Sequence, residues 1–191
     1  IDSGVNASHP HVGMVADGVS MLPGDSDDYV DRIGHGTAVA AAICERSPGA
    51  NLFIVKVFDR KLAASIDTLV AAIDWAWRRN VDLINLSLGT ANPDHAEILS
   101  EAVARAGASG ALLVAAGRHD GVEYFPGSLD GVVSNTHDYF KKGVKSCWIV
   151  LPSLASIYVF SDPENYEIYK STETLIDKKL DIELPLKAIF A

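Results

Sequence analysis

Two polar residues near the start of the chain have the types and surroundings for acid–base chemistry. Asp2 opens Asp2-Ser3-Gly4-Val5, and His35 sits within Gly34-His35-Gly36-Thr37. A carboxylate can hold an imidazole in one tautomer and stabilise its charged form. An imidazole, titrating ordinarily near ~6.5, can take and return a proton at neutral pH. Hydrolysis through a serine needs that base, its orienting acid, the hydroxyl itself and donors aimed at the developing oxyanion. Two further segments, Asn85-Leu86-Ser87-Leu88-Gly89 and Ala115-Ala116-Gly117-Arg118, stand where strands give way to loops.

To meet, such groups must be carried to one rim of a rigid frame. Ile1 reads as the last residue of a buried strand; one residue is no strand, so sequence upstream of it is expected. Residues 1–50 otherwise read mostly as loop, with turns at Asp17-Gly18, Pro23-Gly24 and Ser47-Pro48-Gly49. The small residues 38–43 read as a tightly packed helix. From Leu52 the punctuation is regular. Leu52–Phe58 is a β-branched and aromatic run of strand length. Ile66, Leu69, Val70, Ile73 and Trp77 recur at helical spacing behind Ser65 as N-cap, and Asn80 can close that helix in the left-handed conformation. Val81–Leu86 is the next strand. Asp94 and Glu97 have capping-box spacing ahead of a second amphipathic helix ending near Gly107, and Ala111–Ala115 is a further strand. Strands and helices alternating in this way predict an α/β fold: a doubly wound, mostly parallel sheet in three layers. Chemistry in such sheets gathers at the carboxyl ends of the strands. Beyond residue 134 the pattern changes to apolar and alternating runs at 148–160, 166–170 and 180–186, a β-rich tail whose last strand carries Pro185 and suits an edge.

Composition narrows the function classes. Of 191 residues 48% are apolar, enough for a sizeable core, and the net charge of −9 gives no electrostatic footprint for nucleic acid or an anionic membrane. No apolar run approaches the ~20 residues a membrane helix needs. Cys44 and Cys147 match no metal-ligand spacing and read as two free thiols or one long-range disulfide. His9 and His11 lack a third ligand at matching spacing. The acidic run 25–31 lacks the spacing of a known calcium loop and reads as a solvated face. No cofactor or metal is expected.

Taken in order, the segments resemble a known family. Asp2-Ser3-Gly4-Val5 with His9-Pro10 resembles the aspartate motif of subtilisin-like serine peptidases (subtilases). Gly34 to Ala40 resembles their histidine motif, and Asn85 to Gly89 the strand that pairs with extended substrate. Ala115-Ala116-Gly117, with Tyr124-Phe125-Pro126-Gly127 and Val132-Val133, resembles the passage from the oxyanion residue into the next strand. One such motif alone is weak; four in family order over residues 1–134 are specific. The resemblance implies a partial, incomplete subtilisin-like peptidase domain at 1–134; it does not extend to 135–191, which is read as an unassigned C-terminal segment of the same domain. It implies Asp2 and His35 as catalytic acid and base, Ser87, Leu88 and Gly89 as substrate-binding residues, and an extended peptide or protein as partner.

Two departures follow. Arg118 stands where the family has an Asn after Ala-Ala-Gly. A guanidinium could donate to an oxyanion, but its length and fork differ from a short amide; His119 and Asp120 follow it and are the other residues near that place. The nucleophile motif, Gly-Thr-Ser-x-Ala at a helix start, is absent from the 191 residues. Removing that serine costs on the order of 10⁶ in turnover in subtilisin, a magnitude that belongs to subtilisin and not to this chain. Three readings therefore stand: a serine endopeptidase scaffold inactive as the chain stands, a fragment or a frame-shifted record; a non-catalytic peptide-binding relative; and a nucleotide-binding domain. The last would need a Gly-rich turn directly after a strand, and Gly34-x-Gly36 follows Asp-Arg-Ile.

Overall fold

Short apolar strands alternate with helices whose buried residues fall on one stripe, and together they form a parallel sheet. The structure, a computed structural model, describes residues 1–61, 63–119, 122–134, 145–151, 156–162 and 165–188. It divides into two compact units, Ile1–Val133 and Ser134–Ala191. In the first unit the elements are β1 (Val15–Ser20), α1 (His35–Arg46), β2 (Leu52–Lys56), α2 (Ile66–Trp77), β3 (Leu83–Leu86), α3 (Ala96–Ala108), β4 (Leu112–Ala115), β5 (Arg118–His119), β6 (Val122–Glu123) and β7 (Val132–Val133).

β1 pairs with β2, β3 with β4, and β4 with β7, all in parallel. Residues 1 and 2 join the two sets. Asp2 N–H donates to Val55 O (3.0 Å) and Val57 N–H to Asp2 O (2.8 Å) on one side. On the other side Ile1 N donates to Asn85 O (2.8 Å). The strand order is thus β1, β2, residues 1–2, β3, β4, β7, and Asp2 occupies a central slot.

Strand alternation sorts the layers. Leu52 and Ile54 pack with Ala40 and Cys44 of α1, whereas Val55 and Val57 pack with Ala72 of α2. Helix α1 therefore covers one face and α2 the other, with α3 beside α2. Leu69, Ala72, Ile73 and Ala76 in α2 repeat the i, i+3, i+4, i+7 stripe of Leu99, Ala102, Val103 and Ala106 in α3. Ile73 and Leu99 are fully buried, each stabilising by about 1.5–3 kcal/mol relative to exposure. Ser65 caps α2 by accepting from Thr68 N–H (3.1 Å), and Asn80 adopts φ 52° just beyond it, as expected. Cys44 is a buried free thiol whose Sγ accepts from Gly13 N–H.

Two local expectations change. Asp17-Gly18 is not a turn but lies within β1. The glycine serves close packing, since a Cβ there would stand 2.7 Å from the Tyr29 ring. Asp17 instead binds Arg79 (2.7 Å), which also stacks on Trp75. Nor does Asp94 cap α3. A 3-10 turn at Pro93–His95 precedes that helix, and Asn92 accepts from Asp94 N–H (3.1 Å); Pro93, with no N–H to satisfy, moves the cap one turn upstream.

The second unit is antiparallel. β8 (Cys147–Leu151), β9 (Ser156–Phe160) and β10 (Tyr166–Lys170) form one sheet in the order β10-β9-β8. β11 (Thr174–Asp177) and β12 (Ile182–Pro185) form a hairpin. Ile157, Val159, Leu175 and Leu186 make its core. The apolar run 148–160 is thus two strands, with 152–155 outside the described residues.

Candidate active site

The site begins with the backbone of Asp2. Because both flanks of this residue are held in the sheet, its side chain emerges at a fixed point. It is 8% exposed, and Ser3 N–H donates to its Oδ1 at 2.7 Å. His35 Nδ1 lies 2.8 Å from Asp2 Oδ1 and 3.0 Å from Oδ2. An ionised carboxylate can only accept, so Nδ1 carries the proton and donates it, which leaves Nε2 with a free lone pair. Among the described residues Nε2 has no hydrogen-bond partner, and the imidazole is 46% exposed. An accessible imidazole whose tautomer is fixed by a buried acid behind it can act as a general base.

Local structure delivers His35 to that point. It is the first residue of α1, behind Gly34 at φ 93°. Gly36 lies so close to the strand end that a Cβ would meet Gly4 O at 2.2 Å. Any side chain there would push the helix, and His35 with it, away from Asp2.

Sequence reasoning missed Asp31, grouped with the solvated acidic run. Its carboxylate instead accepts from Ser3 Oγ (2.9 Å), Ile33 N–H (2.9 Å), Gly34 N–H (2.8 Å), Thr37 N–H (2.8 Å) and Thr37 Oγ1 (2.7 Å). Burial opposes its ionisation, but the hydrogen bonds from Thr37, Gly34 and Ile33 prevail and bring the pKa from 3.8 to about 2. The available signal was its spacing: an Asp three residues before Gly34 and six before Thr37 can cap the start of α1.

The substrate-binding candidates lie across from His35. The β3–β4 ladder ends at Leu86↔Ala115, so Ser87, Leu88 and Gly89 run out beyond the sheet edge, until Thr90 pairs with Phe125. Asn85 Nδ2 donates to Ser87 Oγ (2.9 Å). Gly89 is tightly placed, with a Cβ there 3.2 Å from Tyr124 Cβ. His35, Ser87, Leu88 and Gly89 share one cavity of about 460 Å³, whose other lining includes Phe58, Ile66 and Leu69. The structure therefore brings Asp2, His35 and the 87–89 segment together.

Arg118 is placed differently. It sits in the β5–β6 hairpin, its side chain 67% exposed, with Nη2 donating to Glu123 Oε1 (2.6 Å). Gly117 ahead of it is held by Tyr124 N–H (2.8 Å) and by Ser128 Oγ, both donating to its carbonyl. Gly127 presses against Ala116, where a Cβ would stand 2.0 Å from Ala116 O. Asp120 lies outside the described residues, as does the side chain of His119.

Known proteins are similar to this chain in sequence and fold. The family model described as "Subtilase family" matches residues 1–141. Subtilisin amylosacchariticus from Bacillus subtilis subsp. amylosacchariticus is 35% identical over 130 residues, covering 63% of this chain and 33% of the relative. A psychrophilic protease named S41 superposes with a TM-score of 0.56 at 29% identity, covering 71% of this chain and 51% of that one. The nisin leader peptidase NisP from Lactococcus lactis gives 0.62 at 23% identity, covering 72% and 55%, and so supports the fold alone. The chain spans about a third of the first relative's length and about half of each solved chain. With the family model spanning well over half of its residues, this chain belongs to the subtilase family of serine peptidases.

Proposed function

We propose that the chain is a serine-endopeptidase scaffold in which Asp2 orients His35 as general base and residues 87–89 take an extended peptide as an added strand. The single observation that carries this reading is the 2.8 Å bond from His35 Nδ1–H to Asp2 beside the cavity that Ser87, Leu88 and Gly89 line. A peptide lying against those residues would bring its backbone past an imidazole with a free lone pair, the geometry in which a base can take a hydroxyl proton.

The hydroxyl is the missing part. None of the serines after residue 118 stands in a Gly-Thr-Ser-x-Ala context, and Nε2 accepts no hydrogen bond from a described serine. The 191 residues alone bind peptide without cutting it. Incubation of the purified chain with a fluorophosphonate, followed by intact mass measurement, tests this. The expected result is an unmodified mass and no cleavage of a casein substrate. A covalent adduct on any serine would show that a nucleophile is present and overturn the non-cleaving reading.

A further inference from the structure

We propose that Asp31 is a positioning residue, whose carboxylate sets the Asp2–His35 hydrogen bond by tying the strand end and the start of α1 to one anion. This rests on reading Asp2 and His35 as an acid–base pair. Asp31 belongs to neither element, yet its hydrogen bonds reach both. Oδ1 accepts from Ser3, the residue after Asp2, and from the backbone of the turn before His35. Oδ2 accepts twice from Thr37, two residues after His35. Ser3 Oγ closes the loop by accepting from Gly36 N–H (3.0 Å) while donating to Asp31, and Ser3 N–H donates to Asp2 itself.

An ordinary helix cap would satisfy the free N–H groups of α1 and go no further. Here the link through Ser3 reaches the neighbouring strand, so the helix start has a fixed distance from Asp2. Gly36 makes that distance short, with Gly4 O in contact. Hydrogen bonds to a charged acceptor are the stronger kind, and five converging on one carboxylate leave it little freedom to move. Asp31 makes no hydrogen bond to Asp2 or His35 side chains, so its effect passes through backbone position.

The test is proton NMR of the full chain, reading solvent exchange of His35 Nδ1–H, with the α3 amides of Leu99 to Ala106 as the control for global stability. In the unsubstituted chain the Nδ1–H gives a protected signal far downfield. Asp31→Asn and Ser3→Ala are each expected to speed its exchange by about tenfold or more, the scale of losing one charge-assisted hydrogen bond, with the α3 amides unchanged. Thr37→Val is expected to do the same and Thr37→Ser, which keeps the donor, to restore slow exchange. Slow Nδ1–H exchange in a folded Asp31→Asn chain would overturn the proposal. Should Asp31→Asn fail to fold, Ser3→Ala decides alone, because it keeps the bonds from Ile33, Gly34 and Thr37 to Asp31 and removes only the hydroxyl that joins Asp31 and Gly36 N–H to the strand. No protected Nδ1–H in the unsubstituted chain would instead remove the acid–base pair, and the proposal with it.

Discussion

At the scale of single residues, the site depends on charge held in place by converging hydrogen bonds. Asp31 has a carboxyl depressed to about 2 in the folded chain against 3.8 ordinarily. A depressed acid binds fewer protons folded than unfolded, so it stabilises the fold fully above about pH 4, and that contribution fades as pH falls toward about 2. Chemical denaturation midpoints should therefore drop between pH 4 and pH 2, and drop less in Asp31→Asn, which has no proton to gain. Equal slopes in the two chains would show that Asp31 is not held as its hydrogen bonds imply. Gly36→Ala tests contact instead of charge. With Gly4 O 2.2 Å from the added Cβ, it should cost about 1–3 kcal/mol by equilibrium unfolding, the range for overpacking. Asp2 and His35 were legible as residues because each lies in an ordered motif with glycines around it. Asp31 was not, since an acidic run looks the same in sequence whether its members face water or a helix end.

Elements were legible wherever one period dominated. The stripe of α2 is strict, so its spacing alone placed Leu69 and Ile73 inside. Strand β1 was hidden because Asp17-Gly18 carries turn composition, while its reason for being there is the ring of Tyr29, folded back from the loop that follows β1. Tertiary contact of that kind leaves no local trace. The layer assignment makes a sharp prediction at β4. Leu113 is 1% exposed beneath α2 and α3, and Leu112, one residue earlier, is 36% exposed on the opposite face. Leu113→Ala should destabilise by about 2–5 kcal/mol, and Leu112→Ala by under about 1 kcal/mol, near the surface range. Similar losses at both positions would contradict the sheet's orientation.

The whole molecule is acidic, with a net charge of −9, yet among the described residues the cavity beside His35 has no acidic lining residue, and only His35 and His95 of that lining can ionise. Uncharged peptides should therefore bind with an affinity nearly independent of salt, measured by titration at low and high ionic strength. A steep salt dependence would mean that the surface charge, and not the cleft, governs binding. Fold class was readable at this scale from alternation alone, whereas the division at residue 133 was marked in sequence only by a change of pattern near 134. What all of this assumes is that the acid–base pair and the peptide-pairing segment form one working surface. Titrating an extended, uncharged peptide into the isotope-labelled chain and following its amide and imidazole resonances tests that directly. Saturable shifts confined to His35 and residues 87–90 are predicted. Saturable shifts elsewhere with these resonances unmoved, or no saturation at millimolar peptide, would contradict it.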